Sequence, residues 1–291
     1  VPVVNQQRYW FWRGYRVRYG YQGSQHQGVP LLLVHGFGAA LEHWRYNAPV
    51  LGEHHPVYAL DLLGFGDSQK AAAQYGVRLW VAQVYEFWRR FIGEPVCLVG
   101  HSLGALVSLT AAVAHPDMVR GLVLVSLPEG RPTLQPAWVN AWVGGLERLL
   151  IPVVTLPLFS ILRQPGVIRW VCRSQVYHDP SAVNTELVQM FARPAQEPGA
   201  GLTLCRMAQA SSRPGYAPRV APLLAALSVP VLLIWGEHDR LIPVRQGRKW
   251  VQQFPHIRWA VVPAGHCPQD EEPVQVNQLL DEWLNQWGTG A

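Results

Sequence analysis

Val96-Cys97-Leu98-Val99-Gly100-His101-Ser102-Leu103-Gly104 decides the reading of this chain. A short apolar run leads into the pattern G-x-S-x-G, and a second apolar run, Leu106 to Ala114, follows it. That context is a strand, a sharp turn and a helix. A serine at such a turn is held at the top of a sheet under backbone strain, with its hydroxyl presented outward. The flanking glycines are needed because a Cβ there would collide with the neighbouring strand and helix. Gly and Ser are common residues, so the pentapeptide takes its weight from two other segments.

The first is His35-Gly36-Phe37-Gly38, directly after the apolar run Leu31 to Val34. A serine hydrolase needs a loop at that place whose backbone N–H groups point at the developing oxyanion. The second is the pair Gly236-Glu237-His238-Asp239 and Gly265-His266, each after an apolar run of its own. The chain order is Ser102, Asp239, His266, the order of a nucleophile, an acid and a histidine placed on successive strand ends of one parallel sheet. With these motifs the chain resembles an α/β-hydrolase over nearly its whole length.

In this reading Ser102 is the nucleophile, a weak one until a neighbouring base takes its proton. His266 is that base and later the acid for the leaving alcohol. Asp239 orients His266 and stabilises its charged form. Its rival is Glu129, after the sixth strand, where some relatives place the acid; Asp270 and Glu271 stand too close behind His266 to be preferred. The backbone N–H groups of Phe37 and Leu103 form the oxyanion hole, and Phe37 and His101 line the substrate pocket, with Trp44 packing nearby. Asp61-Leu62-Leu63-Gly64-Phe65-Gly66-Asp67-Ser68 is similar to the family's D-x-x-G-x-G-x-S turn, which is structural. Its glycines do not form a phosphate loop, because no G-x-x-x-x-G-K-[ST] follows.

Strands and helices alternate on both sides of a long interruption. Apolar segments at Leu31–Val34, Val57–Leu60, Val96–Val99 and Leu122–Val125 are separated by helical stretches at Leu41–Leu51, Val77–Ile92 and Leu103–Ala114. The pattern resumes at Val231–Trp235 and Trp259–Val262, with helices near Val244–Gln253 and Pro273–Trp287. Such alternation implies a mostly parallel central sheet with helices on both faces. Tyr9 to Gly23 reads as an amphipathic hairpin at a sheet edge, because Tyr15, Val17 and Tyr19 alternate with Arg16, Arg18 and Gly20. The expected organisation is an α/β core made of 1–126 and 228–291, with a mostly helical cap, 127–227, inserted after the sixth strand. The cap is the part that the resemblance supplies.

Composition bounds the function. Of 291 residues, 49% are hydrophobic and 15% charged, so a large core forms and disorder is not expected. The net charge is +5, which reads either as a basic surface without a partner or as one that attracts anionic lipid headgroups. Lysine occurs only at Lys70 and Lys249 and no basic block exists, so no nucleic-acid partner is expected. Cys97, Cys172, Cys205 and Cys267 have no C-x-x-C spacing, so neither a metal site such as zinc nor a dithiol redox centre is expected, and a reducing, cytoplasmic compartment fits. No apolar run reaches 18 residues, and no secretory leader stands at the start. Within the cap, Leu149 to Phe159 is nearly devoid of polar side chains, with Arg148 and Arg163 around it and Trp138, Trp142 and Trp170 nearby. Trp138, Trp142, Leu156 and Phe159 are therefore candidates for binding an apolar substrate, and the segment for contact with a membrane surface.

One branch of the family is especially similar. The stretches Val34-His35-Gly36-Phe37-Gly38, Glu42-His43-Trp44-Arg45 and Tyr58 to Ser68 resemble the branch of pheophytinase, chlorophyll dephytylase and their cyanobacterial relatives. The resemblance implies a cofactor-free serine esterase acting on a bulky apolar ester, the phytyl ester of chlorophyll-type pigments, peripheral on a photosynthetic membrane. A carboxylesterase, thioesterase or lyase with the same three residues, and a receptor that keeps the fold without turnover, are the alternatives.

Overall fold

The computed structural model describes residues 6–23, 25, 28–129, 155–211, 213 and 215–286. Eight strands form one sheet: β1 (Gln6–Trp12), β2 (Tyr15–Gln22), β3 (Leu31–Val34), β4 (Val57–Leu60), β5 (Val96–His101), β6 (Val119–Val125), β7 (Val231–Gly236) and β8 (Arg258–Val262). Their spatial order is β1-β2-β4-β3-β5-β6-β7-β8. The β1–β2 hairpin is antiparallel and joins β4 antiparallel; every other pairing is parallel. The hairpin is the expected edge, turned at Arg13 and Gly14, both at positive φ.

The two-residue period explains why short, unbroken apolar runs make the central strands. Leu32, Val34, Leu98, Leu122, Leu124, Leu233 and Trp235 face one core. Leu31, Leu33, Cys97, Val99, Val123, Val125, Leu232 and Ile234 face the other. A strand buried on both faces has no polar side to show. The helices Val77–Phe91 and Leu103–Ala114 cover the first face. The first of these buries Val77, Trp80, Val81, Val84, Phe87 and Trp88, a stripe at helical spacing. The helix Pro273–Asn285 covers the second face through Val276, Leu280, Trp283 and Leu284.

The expected helix over Leu41–Leu51 is instead two short pieces, a 3₁₀ turn at Leu41–Trp44 and one α-turn at Ala48–Leu51. Pro49 lacks the N–H that would tie the second piece back to the first, and it sits at the start of that second piece, where it is tolerated. Between β6 and β7 the described residues are helical, at 155–162, Pro165–Val171, Thr185–Gln196 and Ala200–Ser211. Asn184 caps the third of these, its side chain accepting from Leu187 N–H at 2.8 Å.

β3 is flanked by β4 on one side and β5 on the other, so the order of strands reverses between β3 and β5. Loops leaving the carboxyl ends of these strands diverge and open a crevice. Phe37 follows β3, Ser102 directly follows β5, Asp239 follows β7 and His266 follows β8. Topology alone places these four on one rim of the sheet.

Candidate active site

Ser102 has φ 50° and ψ −117°, a conformation L-residues seldom adopt. It costs roughly 1–3 kcal/mol and persists only where the surroundings dictate it. Here the Ser102 N–H donates to Val125 O at 2.8 Å, and two glycines allow the close packing. A Cβ on Gly100 would strike Gly104 O, and one on Gly104 would strike Val34 O. The turn is thus clamped between β3 and the helix Leu103–Ala114, with the side chain half-buried at the sheet's rim.

His266 Nε2 lies 3.0 Å from Ser102 Oγ, and His266 Nδ1 lies 2.8 Å from Asp239 Oδ2. A carboxylate only accepts, so Nδ1 carries the proton and Nε2 is free to accept from the serine. Asp239 is over-determined: its Oδ1 accepts from Leu241 N–H at 2.9 Å and Ile242 N–H at 2.8 Å. The loop of His266 is pinned as well. Its N–H donates to Val176 O at 2.7 Å, and its carbonyl accepts from His101 Nε2 at 2.8 Å. An imidazole held this way can take a hydroxyl proton and return it.

Glu129 is exposed and accepts from Gln246 Nε2 at 3.1 Å, away from His266. The two acids that follow His266 have other partners. Asp270 pairs with Arg45 at 2.7 Å and accepts from Tyr177 Oη at 2.7 Å. Burial pushes its carboxyl up, against the opposing pull of Arg45. Glu271 accepts from the N–H groups of Gly265 at 2.7 Å and His178 at 2.6 Å. It fastens the His266 loop to the chain between β6 and β7. The spacing that set these two acids aside as partners of His266 gave no hint of this bracing.

Among the described residues, neither the Phe37 nor the Leu103 N–H has a hydrogen-bond acceptor. Leu103 opens a helix, where the first N–H groups have no intrahelical partner. The loop that carries Phe37 is tied down on both sides. His35 Nδ1 donates to Gly36 O at 2.7 Å and its Nε2 accepts from Leu62 N–H at 3.0 Å. Asp61 accepts from Leu41 N–H at 2.8 Å and Asp67 N–H at 2.7 Å. Asp61 also pairs with buried Arg18 at 2.6 Å. Burial alone would lower the Arg18 pKa, but Asp61 and Glu42 outweigh it and hold the guanidinium charged. Asp61 is therefore the anchor of the loop, and Gly66 lies so close that a Cβ would meet its carboxylate.

Ser102 and His266 border a cavity of about 460 Å³. Its walls are mainly apolar, with Phe37 and Phe65 from the sheet side and Phe159, Leu162, Phe191 and Met207 from the helices between β6 and β7. His101 and Phe159 line it as expected residues, whereas Leu156 does not; it leans on Gly201 instead. Trp44 is fully buried in the core. Trp138 and Trp142 lie outside the described residues. Cys172, Phe191 and Met207 are wall residues with no motif around them, and His43, though it stands in the stretch Glu42-His43-Trp44-Arg45, is not marked by that stretch as a wall residue; only the fold brings the four together.

Known proteins agree with this architecture. A family profile described as "Alpha/beta hydrolase family" matches residues 31–279. Chloroplastic pheophytinase of Arabidopsis thaliana is 27% identical over 95% of the chain, which spans 65% of that protein's length. The human (lyso)-N-acylphosphatidylethanolamine lipase is 29% identical over 89% of the chain and 80% of its own length. A solved bacterial membrane phospholipase A superposes with a TM-score of 0.74 at 25% identity, covering 98% of this chain and 87% of that one. With the sheet order, the strained serine turn and a profile match over most of its length, this chain belongs to the alpha/beta hydrolase family and is a hydrolase.

Proposed function

We propose that the protein is a serine ester hydrolase for a bulky apolar ester. The observation that carries this is the hydrogen-bonded series Ser102–His266–Asp239 at the edge of an apolar cavity. Ser102 Oγ attacks the ester carbonyl carbon while His266 Nε2 takes its proton. The carbonyl oxygen becomes an oxyanion and receives the free N–H groups of Phe37 and Leu103. His266 then gives the proton to the departing alkoxide, which leaves as alcohol. Water, deprotonated by His266, attacks the acyl-enzyme and frees the acid and Ser102. Asp239 holds the imidazole in the required tautomer throughout.

The substrate proposed is the phytyl ester of a chlorophyll-type pigment. The likeness to pheophytinase supports it, as does a cavity walled by Phe, Leu and Met. The helices between β6 and β7 act as the cap over that cavity. They also supply the contact with a membrane surface, for Leu158, Ile161 and Trp170 are exposed there. Among the described residues no helix is long and apolar enough to cross a membrane, so the contact is peripheral. The same exposed residues favour a second reading, hydrolysis of a membrane-lipid ester, in keeping with the names of the lipase and phospholipase relatives.

The test is direct. A fluorophosphonate should label Ser102 in the wild-type protein, and chlorophyll a or pheophytin a should yield phytol by chromatography. A phospholipid or short ester turned over in place of the pigments would overturn the substrate and leave the mechanism. Absence of labelling would overturn the mechanism and return the chain to a receptor role.

A further inference from the structure

Behind Ser102, three strand ends bring together side chains that the mechanism does not use. His43 comes from the 3₁₀ turn after β3, His101 from the end of β5, and Cys267 from the loop after β8. All three are buried, at 2–3% exposure, and all three border the cavity. One ring nitrogen of each histidine and the Cys267 Sγ lie within 4.8 Å of one another.

The protonation of the two rings follows from their partners. His101 Nε2 faces the His266 carbonyl, so it must donate and carry the proton. His101 Nδ1 is then a bare lone pair, and it is buried without a hydrogen-bond partner. A Cβ on Gly36 would stand 2.7 Å from that nitrogen, so a side chain at position 36 would crowd it. The Tyr177 hydroxyl gives its proton to Asp270, so at 3.3 Å it accepts from His43 Nε2. His43 Nδ1 is likewise unprotonated, with only a long contact at 3.4 Å from Gln269. A buried, unpaired lone pair is costly and calls for an explanation.

We propose that His43, His101 and Cys267 form a binding site for a thiophilic divalent cation such as Zn²⁺, and that occupation of this site inhibits the enzyme. Two neutral imidazoles and a thiolate suit zinc, and the cavity leaves a fourth position open for water. In a tetrahedral centre with Zn–N of about 2.0–2.1 Å and Zn–S of about 2.3 Å, ligand atoms stand roughly 3.3–3.6 Å apart. The three groups need to close by about an ångström, within the reach of side-chain rotation. Binding replaces the Cys267 S–H bond by an S–Zn bond and releases one proton to solvent, with no change of oxidation state. Asp270, Glu271 and Asp239 are near enough to act on Cys267 electrostatically; their negative charge favours a cation, against the positive charge of Arg45, which acts on His43 and is itself paired with Asp270. The C-x-x-C spacing that guides a search for zinc in sequence does not apply, because the ligands come from three separate loops.

Inhibition follows from position. The His101 and His266 rings are 5.0 Å apart. A cation on His101 opposes the positive charge that His266 must acquire when it takes the serine proton. This part of the proposal rests on the hydrolytic reading above; the metal site itself does not.

Cobalt separates the two. Titration of chelator-treated protein with Co²⁺ should produce a near-ultraviolet thiolate-to-cobalt charge-transfer band that saturates at about one ion per chain. Cys267→Ser should abolish the band, and His43→Gln should weaken cobalt binding by at least the roughly 10–100-fold that loss of an outer-shell partner costs. Cys172→Ser, the control for the other cavity thiol, should keep it. A thermal melt of each variant shows that it is folded. No band, or a band that survives in folded Cys267→Ser, would overturn the site; the exposed, stacked pair His178 and His238 cannot give such a band because it holds no sulfur. Zn²⁺ should inhibit the wild-type enzyme reversibly by chelator, and Cys267→Ser, measured against its own metal-free rate, should need at least 10-fold more Zn²⁺. Equal inhibition of both would overturn the coupling, even with the cobalt band present.

Discussion

The two sides of the cavity are built by different means. On the sheet side each polar group is fixed by several bonds: Asp239 has His266, Leu241 N–H and Ile242 N–H, and His266 is held through its ring, its N–H and its carbonyl. On the helical side the wall is apolar, and ion pairs tie it to the core. Arg193 reaches Asp67 at 2.8 Å and Lys70 reaches Glu197 at 3.0 Å. Arg193 is half-exposed, and such pairs contribute only about 0–1 kcal/mol. Geometry that must hold to fractions of an ångström sits where bonds over-determine it. The apolar wall, which the proposed substrate would meet, sits where packing and weak exposed ion pairs define it and can be remodelled. Substitutions on the two sides should therefore differ in kind: loss of turnover on one, loss of discrimination on the other.

Ser102→Ala is the strongest test of the first side. Loss of a serine nucleophile costs about 10⁶-fold in turnover in a comparable enzyme, and a similar loss is expected here with the melting temperature retained. Asp239→Asn comes next, with a loss of about 10⁴-fold through the wrong imidazole tautomer. Glu129→Gln should stay within a few-fold of wild type, since its carboxylate faces Gln246. Steady-state rates on one ester, with a melt for each variant, check all three. A reversed ranking of the two acids would break the assignment of the acid and with it the contrast between the sides.

Much of the sheet side is legible in the sequence because its signals are local. Each central strand is a short apolar run, and Gly100 and Gly104 flank Ser102 wherever the rest of the chain lies. Phe37, Ser102, Asp239 and His266 each follow a strand, so chain order and the parallel sheet bring them to one rim. The helical side has no such local signature. Phe191 and Met207 are core-like residues in amphipathic helices, and only tertiary packing decides that they face a cavity. The bracing by Asp270 and Glu271 is equally silent, since Arg45, Tyr177 and His178 are distant in the chain. Leu41–Leu51 misled because its apolar spacing is helical while Pro49 divides it.

Acid should expose how strongly the sheet side depends on neutral buried histidines. Burial pushes His101 down to about 3 and lowers His35 and His43 as well. A histidine depressed in the fold stabilises it above its unfolded pKa of 6.5, and that stability is lost as pH falls towards the folded value. Between pH 6.5 and about 3 His101 therefore makes stability fall by up to about 1.4 kcal/mol per pH unit, and His35 and His43 act in the same direction. His101→Asn should remove one proton's worth of that slope. Urea unfolding across this window measures it, and an unchanged slope would mean that His101 is charged in the fold, against the unprotonated Nδ1 that its buried position without a hydrogen-bond partner implies.

Phe159→Ser carries a far smaller expected effect than Ser102→Ala or Asp239→Asn and speaks to the helical side alone. Phe159 borders the cavity, while Leu156, three residues earlier, leans on Gly201 and is 37% exposed. Full burial of a side chain of this class is worth about 1.5–3 kcal/mol. Phe159 is already half-buried in the free protein, so a substrate that covers it gains only part of this. A loss of about tenfold in kcat/KM is expected on a phytyl or other long-chain ester, and little on a short water-soluble one. Leu156→Ser should leave both esters nearly unchanged, and should weaken liposome binding if that face meets lipid. The ratio of the two esters is the informative quantity, because a loosened wall harms both alike whereas a lost contact harms only the substrate long enough to make it. Equal loss on both esters, with a lowered melting temperature, would make Phe159 ordinary packing and erase the distinction between the two sides.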